Sequence, residues 1–90
     1  MPDAPPFELF YASQAQDDLD YWRRTDRQVS RRIDRLLDDM VLHPFTGIGK
    51  PEPLRHKLTG YWSRRITGEH RIVYKVVGNT IYIAQCRFHY

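Results

Sequence analysis

The eleven residues Pro44-Phe-Thr-Gly-Ile-Gly-Lys-Pro-Glu-Pro-Leu54 separate a helical first half of the chain from a strand-rich second half. Three prolines and two glycines occur in this stretch, so neither a helix nor a central strand can run through it. It also carries Lys50 and Glu52, and it leads through Arg55 into a segment dense in aromatic residues and arginine. Because loops held by a rigid scaffold often carry function, the stretch predicts a stiff loop that takes part in chemistry.

The composition is typical of one small globular domain. The chain has 90 residues, of which 41% are hydrophobic, enough for a single compact core. It has no apolar run of the ~18–20 residues that cross a membrane, and its first residues lack the pattern of a signal peptide. Cys86 is the only cysteine, so an internal disulfide is excluded. These features predict a cytoplasmic protein.

Charge is divided unevenly along the chain. Residues 1–49 hold six arginines against nine acidic residues, a net charge of −3, whereas residues 50–90 hold eight Lys and Arg against two Glu, a net charge of +6. Eleven of the fourteen cations are arginine, whose planar fork suits bidentate contact with phosphate. The basic half indicates a phosphate-bearing or acidic partner, although a solvated basic face has the same composition.

The first half predicts a tail, one strand and two helices. Residues 1–6, half of them proline, are predicted to be a flexible tail outside a single domain of residues 7–90. Phe7–Ala12 is aromatic and poor in polar residues, which predicts a strand in a central position of a sheet. A capping box of Ser13 and Gln16 predicts the start of a first helix, with two aspartates in its first turn.

A second helix is predicted between Thr25 and His43. Thr25 and Gln28 repeat the capping-box spacing, and the sequence His43-Pro44 ends the helix. In the second helix, apolar residues recur at helical spacing and predict a stripe that faces the core. In the first helix, Ala15, Leu19 and Trp22 predict a similar stripe. The opposite face of the second helix alternates arginine and aspartate and is predicted to face solvent. The stripe of the second helix consists of Val29, Ile33, Leu36, Leu37, Met40 and Val41.

After the proline-rich stretch the apolar period changes to two. Tyr61–Thr67, His70–Val77 and Thr80–Phe88 are predicted strands, joined by turns at Gly68-Glu69 and Gly78-Asn79. The predicted fold is therefore α+β, in the order β-α-α-β-β-β, with one antiparallel sheet packed on a helical hairpin.

The sequence gives little support for metal or nucleophilic chemistry. The histidines His43, His56, His70 and His89 do not pair with one another, or with Cys86, at the spacing of metal ligands. Neither a phosphate-binding P-loop nor a serine elbow is present. A single cysteine inside an apolar strand is typical of a small buried residue. No metal and no other cofactor is predicted.

The residues present suit acid–base cleavage of RNA, which needs no metal. A 2′-hydroxyl can attack its own phosphate if a base takes its proton, an acid protonates the leaving oxygen and cations hold the charge. Glu52 is the only acid between Asp39 and Glu69, and Arg65, Arg71 and His89 follow it. Each also has a plainer explanation, as a solvated loop residue, exposed strand arginines or a frayed terminus.

Strand alternation predicts where these side chains point. Arg65 and Arg71 share a face only if their strands pair with an even residue sum, which would add Ser63 and Val73 to the same face. On the last strand every second residue shares a face. The hypothesis is that both sets form the floor of one cleft, with the Glu52 loop as its wall. The residues of the last strand in this set are Gln85, Arg87 and His89.

Long pieces of the chain strongly resemble the YoeB (Txe/YoeB) family of bacterial toxins, within the RelE/ParE superfamily. The resemblance covers the chain from about Phe7 onward, and the Gly-Lys-Pro-Glu-Pro-Leu and Trp-Ser-Arg-Arg-Ile pieces are highly specific. The matching segments are residues 18–22, 44–54, 58–66, 69–74 and 86–90.

This resemblance implies a microbial-RNase-like fold and a ribosome-dependent mRNA endonuclease that cuts the codon in the ribosomal A site. By the same resemblance, Glu52 is the general base and His89 the general acid. Arg71 stabilises the transition state with support from Arg65, and Tyr90 positions the nucleotide. The resemblance also points to RNA contacts by Lys50, Arg55 and Arg87.

The resemblance further implies partners: a cognate YefM-like antitoxin whose acidic, disordered segment folds onto the toxin, mRNA with the 70S ribosome, and a possible homodimer, with no membrane. Two alternatives stay open. One is a gyrase-inhibiting toxin of the same superfamily, which would share the fold but lack this acid–base set. The other is a non-catalytic RNA-binding module, which would tolerate the loss of Glu52 or His89.

Overall fold

The computed structural model describes residues 6–88 and has an α+β fold with a five-stranded sheet. The predicted tail lies outside the described residues, apart from Pro6. A short 3-10 turn, His56–Leu58, precedes the third strand. In chain order the elements are β1 (Glu8–Tyr11), α1 (Ser13–Thr25), α2 (Arg27–Leu42), β2 (Glu52–Pro53), β3 (Trp62–Arg65), β4 (Arg71–Val77) and β5 (Thr80–Gln85).

The sheet differs from the prediction in three respects, the first of which is a fifth strand, β2, within the stretch predicted to be a loop. The strand order of the sheet is β1-β5-β4-β3-β2, and β1 runs parallel to β5 while the other pairs are antiparallel. The sheet is therefore mixed, and β1 lies at an edge instead of in the centre. The apolar content of β1 misled the prediction because Phe10 is 55% exposed on the open face, although its neighbours Leu9 and Tyr11 pack against the core.

Both predicted capping boxes are wrong by one residue. Ser13 is already the first residue of α1, whose N-cap, Ala12, makes no side-chain cap, so the two aspartates predicted for the first turn lie beyond it. Asp26 is the N-cap of α2 and its carboxylate accepts from the amides of Gln28 and Val29 at 3.1 and 3.2 Å. One residue joins the helices, so Asp26 also ends α1 by donating its amide to the Trp22 carbonyl.

The core lies between the helical hairpin and one face of the sheet. The predicted apolar stripe of α1 is buried, and four of the six stripe residues of α2 are buried. Val29 and Val41 at its two ends are only partly buried. The sheet contributes Ile72, Tyr74, Ile81, Ile83 and Cys86 to this core.

Within residues 6–88 no helix is long and apolar enough to cross a membrane.

The last strand ends at Gln85, three residues before the predicted end at Phe88. A register shift between Val73 and Tyr74 breaks the ladder at this point. Side chains of α1 then replace the strand as hydrogen-bond partners of the backbone. Buried Asp18 accepts from the amide of Cys86, and the Trp22 indole donates to its carbonyl, both at 2.9 Å.

Candidate active site

The strand register brings the predicted arginine pair and the predicted base to one face. Arg65 lies directly opposite Arg71, and Ser63 lies opposite Val73, which confirms the even pairing. Glu52 belongs to β2 at the sheet edge, and it lies opposite Ser63 of β3. Directly opposed residues share a face of an antiparallel pair, so these side chains project from the sheet surface opposite to the helices.

The two arginines face each other without a described carboxylate between them. Directly opposed like charges destabilise a strand pair, and this pair joins an exposed Arg65 to a half-buried Arg71. The Arg71 Nη1 atom is buried and has no hydrogen-bond partner within residues 6–88. An anion placed between the guanidinium groups would relieve the repulsion and fill the free donor. The pair is therefore suited to bind a phosphate.

Glu52 is exposed and unengaged. It forms part of the edge strand itself, so it belongs to the floor of the open face and not to a separate loop wall. Its side chain is exposed, and no hydrogen bond or ion pair from it occurs in the described part of the chain. Along β3, the Glu52–Ser63 pair lies two residues from the Arg65–Arg71 pair. A free carboxylate at this position can take a proton from a ligand that is bound by the two arginines.

Lys50 and Arg55 flank Glu52 along the chain. Both side chains are exposed, and Lys50 has a left-handed backbone with φ of 51°. Between Glu52 and Arg55, Leu54 is buried and its amide donates to the Tyr61 carbonyl at 2.8 Å, which fixes the segment to β3. The carboxylate therefore lies between two exposed cations on an anchored backbone.

The chain beyond β5 passes alongside Arg71. The Arg71 amide donates to the Phe88 carbonyl at 3.2 Å, and the Phe88 amide donates to Nδ1 of His70 at 2.8 Å. These bonds bring residue 88 to the end of β4 that carries the arginine pair. The predicted acid His89 and the predicted positioning residue Tyr90 come next in the chain and lie outside the described residues.

Arg87 does not continue the strand alternation. It lies beyond the end of β5, and its guanidinium carbon is 3.6 Å from the centre of the Tyr21 ring on α1. A cavity of about 330 Å³ adjoins this stacked pair, between α1 and the C-terminal segment. The side chain of Arg87, which is predicted to contact RNA, is therefore packed on α1. The cavity is lined by Gln14, Asp18, Gln85, Arg87 and Phe88.

Sequence reasoning missed Arg64, which organises the loop before Glu52. Arg64 is fully buried on the helix side of β3, and it forms an ion pair with Asp39 of α2 at 2.7 Å. The aspartates of α2 were predicted to face solvent, and for Asp39 this is wrong. Alternation could have identified Arg64, because the neighbours of an outward-facing Ser63 and Arg65 must point inward.

Asp39 is held in its ionised form. Partial burial by itself would raise the pKa of this carboxyl, but the hydrogen bonds from Arg64 and from the Ile48 amide, together with the Arg64 charge, lower its pKa below the ordinary value. A lowered pKa stabilises the fold above the unfolded-state pKa and loses that contribution as the pH falls through the folded value.

The variant Asp39→Asn tests this ion pair. At pH 7 we expect it to unfold at a lower temperature than wild type, because Arg64 loses its only described counter-charge. Below about pH 4, where an ordinary aspartate is protonated, the difference should shrink. Thermal unfolding at several pH values measures it, with Asp38→Asn, an exposed neighbour, as control. A difference that stays constant with pH would contradict the ion-pair account.

Other candidate chemistries have less structural basis. Burial raises the pKa of the Cys86 thiol to about 12, with the nearby Asp18 charge acting in the same direction. A thiol of this kind is a poor nucleophile, as expected of the small buried residue predicted at this position. Residues 6–88 contain no group of three or more His, Cys, Asp or Glu side chains that could hold a metal ion.

Comparison with known proteins identifies the family. A family model described as "YoeB-like toxin of bacterial type II toxin-antitoxin system" matches residues 11–90. This chain belongs to the YoeB toxin family. Toxin YoeB of Escherichia coli K12 is 48% identical to it over 83 residues, which cover 92% of this chain and 99% of the relative.

Solved structures agree with this assignment. The YoeB/ParE toxin from Agrobacterium tumefaciens superposes with a TM-score of 0.90 at 46% identity, covering 92% of this chain and 99% of the other. From Staphylococcus aureus, a YoeB dimer superposes with a TM-score of 0.87 and a heterotetrameric YoeB-YefM toxin–antitoxin complex with 0.85, each at 41% identity and covering 96% of this YoeB-family chain and 100% of the other.

Proposed function

We propose that this YoeB-family toxin is a ribosome-dependent endoribonuclease that cuts mRNA in the ribosomal A site and thereby inhibits translation. The observation that carries the proposal is the placement of Glu52, Arg65 and Arg71 on the sheet face opposite to the helices. That face presents an unengaged carboxylate and a pair of arginines with a free donor, which are the base and the charge-stabilising groups that RNA cleavage requires.

The proposed reaction is an attack of the 2′-hydroxyl on the adjacent phosphate. Glu52 takes the hydroxyl proton, and the 2′-oxygen forms a bond to phosphorus. The guanidinium groups of Arg71 and Arg65 hold the charge that builds on the phosphate oxygens. His89 donates a proton to the 5′-oxygen as its bond to phosphorus breaks. The products are a 2′,3′-cyclic phosphate and a 5′-hydroxyl, and no metal or cofactor takes part.

RNA is held on both sides of the scissile phosphate. Lys50 and Arg55 border Glu52 and would contact the backbone, where exposed cations bind phosphates without regard to sequence. Arg87, stacked on Tyr21, would contribute a charge from the α1 side. Tyr90 would position the nucleotide.

The proposal includes partners. The heterotetramer of the S. aureus relative supports a YefM-like antitoxin for this chain, and the basic half of the sequence suits an acidic segment of such a protein. The S. aureus dimer supports a possible homodimer. The 70S ribosome and its mRNA are the proposed targets, which would place the active toxin in the cytoplasm.

Primer extension on an mRNA translated by purified ribosomes tests the proposal. Wild type should cut within the A-site codon, and His89→Gln should abolish the cut by removing the acid. His56→Gln replaces an exposed histidine outside the site and should cut like wild type. Arrested translation without any cut, for wild type and His89→Gln alike, would contradict nuclease action. It would favour the RNA-binding module, and inhibition of gyrase would then be measured.

A further inference from the structure

Every donor of the buried Arg64 guanidinium has an acceptor. A guanidinium carries five N–H donors, and Arg64 makes five hydrogen bonds. Nε donates to the Tyr74 hydroxyl at 3.2 Å, and Nη1 donates to the Asp39 carboxylate at 2.7 Å and to the Ile48 carbonyl at 3.1 Å. Nη2 donates to the carbonyls of His43 and Thr46.

Three of these acceptors are carbonyls of the loop that leads to Glu52. The loop is also held by groups that themselves contact Arg64. The Tyr74 hydroxyl donates to the Pro44 carbonyl at 2.7 Å, and burial raises the pKa of Tyr74, which keeps the donor protonated. The Asp39 carboxylate accepts from the Ile48 amide at 3.1 Å. One side chain of β3 therefore fixes residues 43–48 to both the sheet and α2.

The loop also packs closely against α2 at its two glycines. A Cβ added at Gly47 would lie 2.0 Å from an Asp39 carboxylate oxygen, and one at Gly49 would lie 2.6 Å from Leu36. The Gly49 carbonyl accepts from the Arg65 amide at 2.7 Å. Only Lys50 and Pro51 separate this anchored backbone from Glu52. The inward-facing Arg64 and the outward-facing Arg65 thus hold the same loop from adjacent positions of one strand.

We infer that Arg64 is a positioning residue for Glu52: it holds the 43–49 loop so that β2 pairs with β3 and presents the carboxylate opposite Ser63. The inference rests on the proposed function, in which Glu52 is the base. It assigns to Arg64 a role that lysine cannot fill, because an ammonium has three donors and no planar fork to reach five acceptors.

The decisive variant is Arg64→Lys, with Ile81→Val as a matched core change on the same face of the sheet but in β5, two strands away from β3. Single-turnover cleavage of ribosome-bound mRNA should fall by about 10²-fold, the effect of a 1 Å misplacement of a catalytic group, with KM unchanged because the exposed cations remain. Ile81→Val should keep the wild-type rate. Both are measured well below their unfolding temperatures. A wild-type rate for folded Arg64→Lys would overturn the inference.

A double-mutant cycle separates positioning from general destabilisation. In a Glu52→Gln background, Arg64→Lys should cost almost nothing further, because the group that it positions is already gone. An equal loss in both backgrounds would overturn the inference. If Arg64→Lys does not fold, Tyr74→Phe replaces it. That variant removes one bond to Arg64 and one to Pro44, and should show the same non-additivity with a smaller loss.

Hydrogen exchange reports on the loop without using activity. The Ile48 amide and the neighbouring amides should exchange faster in Arg64→Lys than in wild type, while the β4–β5 ladder stays protected. Unchanged protection of the loop would overturn the inference whether or not RNA is cut. Faster loop exchange together with a wild-type protein that cuts no mRNA would instead contradict the proposed function alone.

Discussion

Replacing Glu52 by glutamine is expected to lower the single-turnover cleavage rate of ribosome-bound mRNA by about 10²–10⁴-fold, the range for loss of a general base. Glutamine keeps the size and shape of the side chain but cannot accept the 2′-hydroxyl proton. The fold should not suffer, because the Glu52 side chain is exposed and makes no hydrogen bond or ion pair within residues 6–88. The rate is measured by quenched cleavage, and the unfolding temperature is measured in parallel.

Glu69→Gln is the matched control for this prediction. Glu69 is the other acid of the basic half, and its side chain is exposed in the connection between β3 and β4. Both substitutions add the same charge to the protein, so a general effect on attraction to RNA would appear in both. A Glu52→Gln rate equal to that of Glu69→Gln would show that Glu52 is not the base.

The second large effect is expected from Arg71→Gln, which should lower the cleavage rate by about 10²–10³-fold, the range for removal of one donor that stabilises transition-state charge. KM should change little, because Arg65 and the flanking cations still hold the phosphate. The unfolding temperature should stay level or rise, since the substitution removes one of two directly opposed like charges. Cleavage kinetics and thermal unfolding on the same samples measure both quantities.

Arg31→Gln controls for the lost charge, because Arg31 is exposed on α2, and α2 packs on the sheet face opposite to the arginine side chains. It should cut at the wild-type rate. Arg71→Lys should regain only part of the activity, since an ammonium cannot contact two phosphate oxygens in the geometry of a guanidinium. If Arg71→Gln is unfolded at the assay temperature to an extent that explains its whole loss of activity, the assigned role is contradicted.

Period-two alternation carried the sequence prediction of the site. Once the strands after Leu54 are recognised, pairing with an even residue sum places Arg65 opposite Arg71 and Ser63 opposite Val73. An edge strand tolerates Pro53, which has no amide donor. The segment that contains Pro53 can therefore pair with β3, and this pairing places Glu52 opposite Ser63. Side-chain direction follows from local geometry alone, so this part of the fold is readable without knowledge of the whole.

The remaining differences depend on contacts between distant parts of the chain. Nothing within Phe7–Ala12 indicates that this segment pairs in parallel with β5, about seventy residues later. Asp39 resembles the other aspartates of α2, and only the arrival of Arg64 from β3 distinguishes it. The end of β5 is set by Asp18 and Trp22 of α1, which take over the backbone bonds of Cys86.

The chemistry of the cut ends tests the central claim most directly. Wild-type toxin acts on a programmed 70S complex, and mass spectrometry then identifies the ends on either side of the A-site cut. Attack by the 2′-hydroxyl predicts a 2′,3′-cyclic phosphate on the upstream fragment and a 5′-hydroxyl on the downstream fragment, with both products lost in Glu52→Gln. A 3′-hydroxyl with a 5′-phosphate would mean that water is the nucleophile, and would contradict the proposed roles of Glu52 and His89.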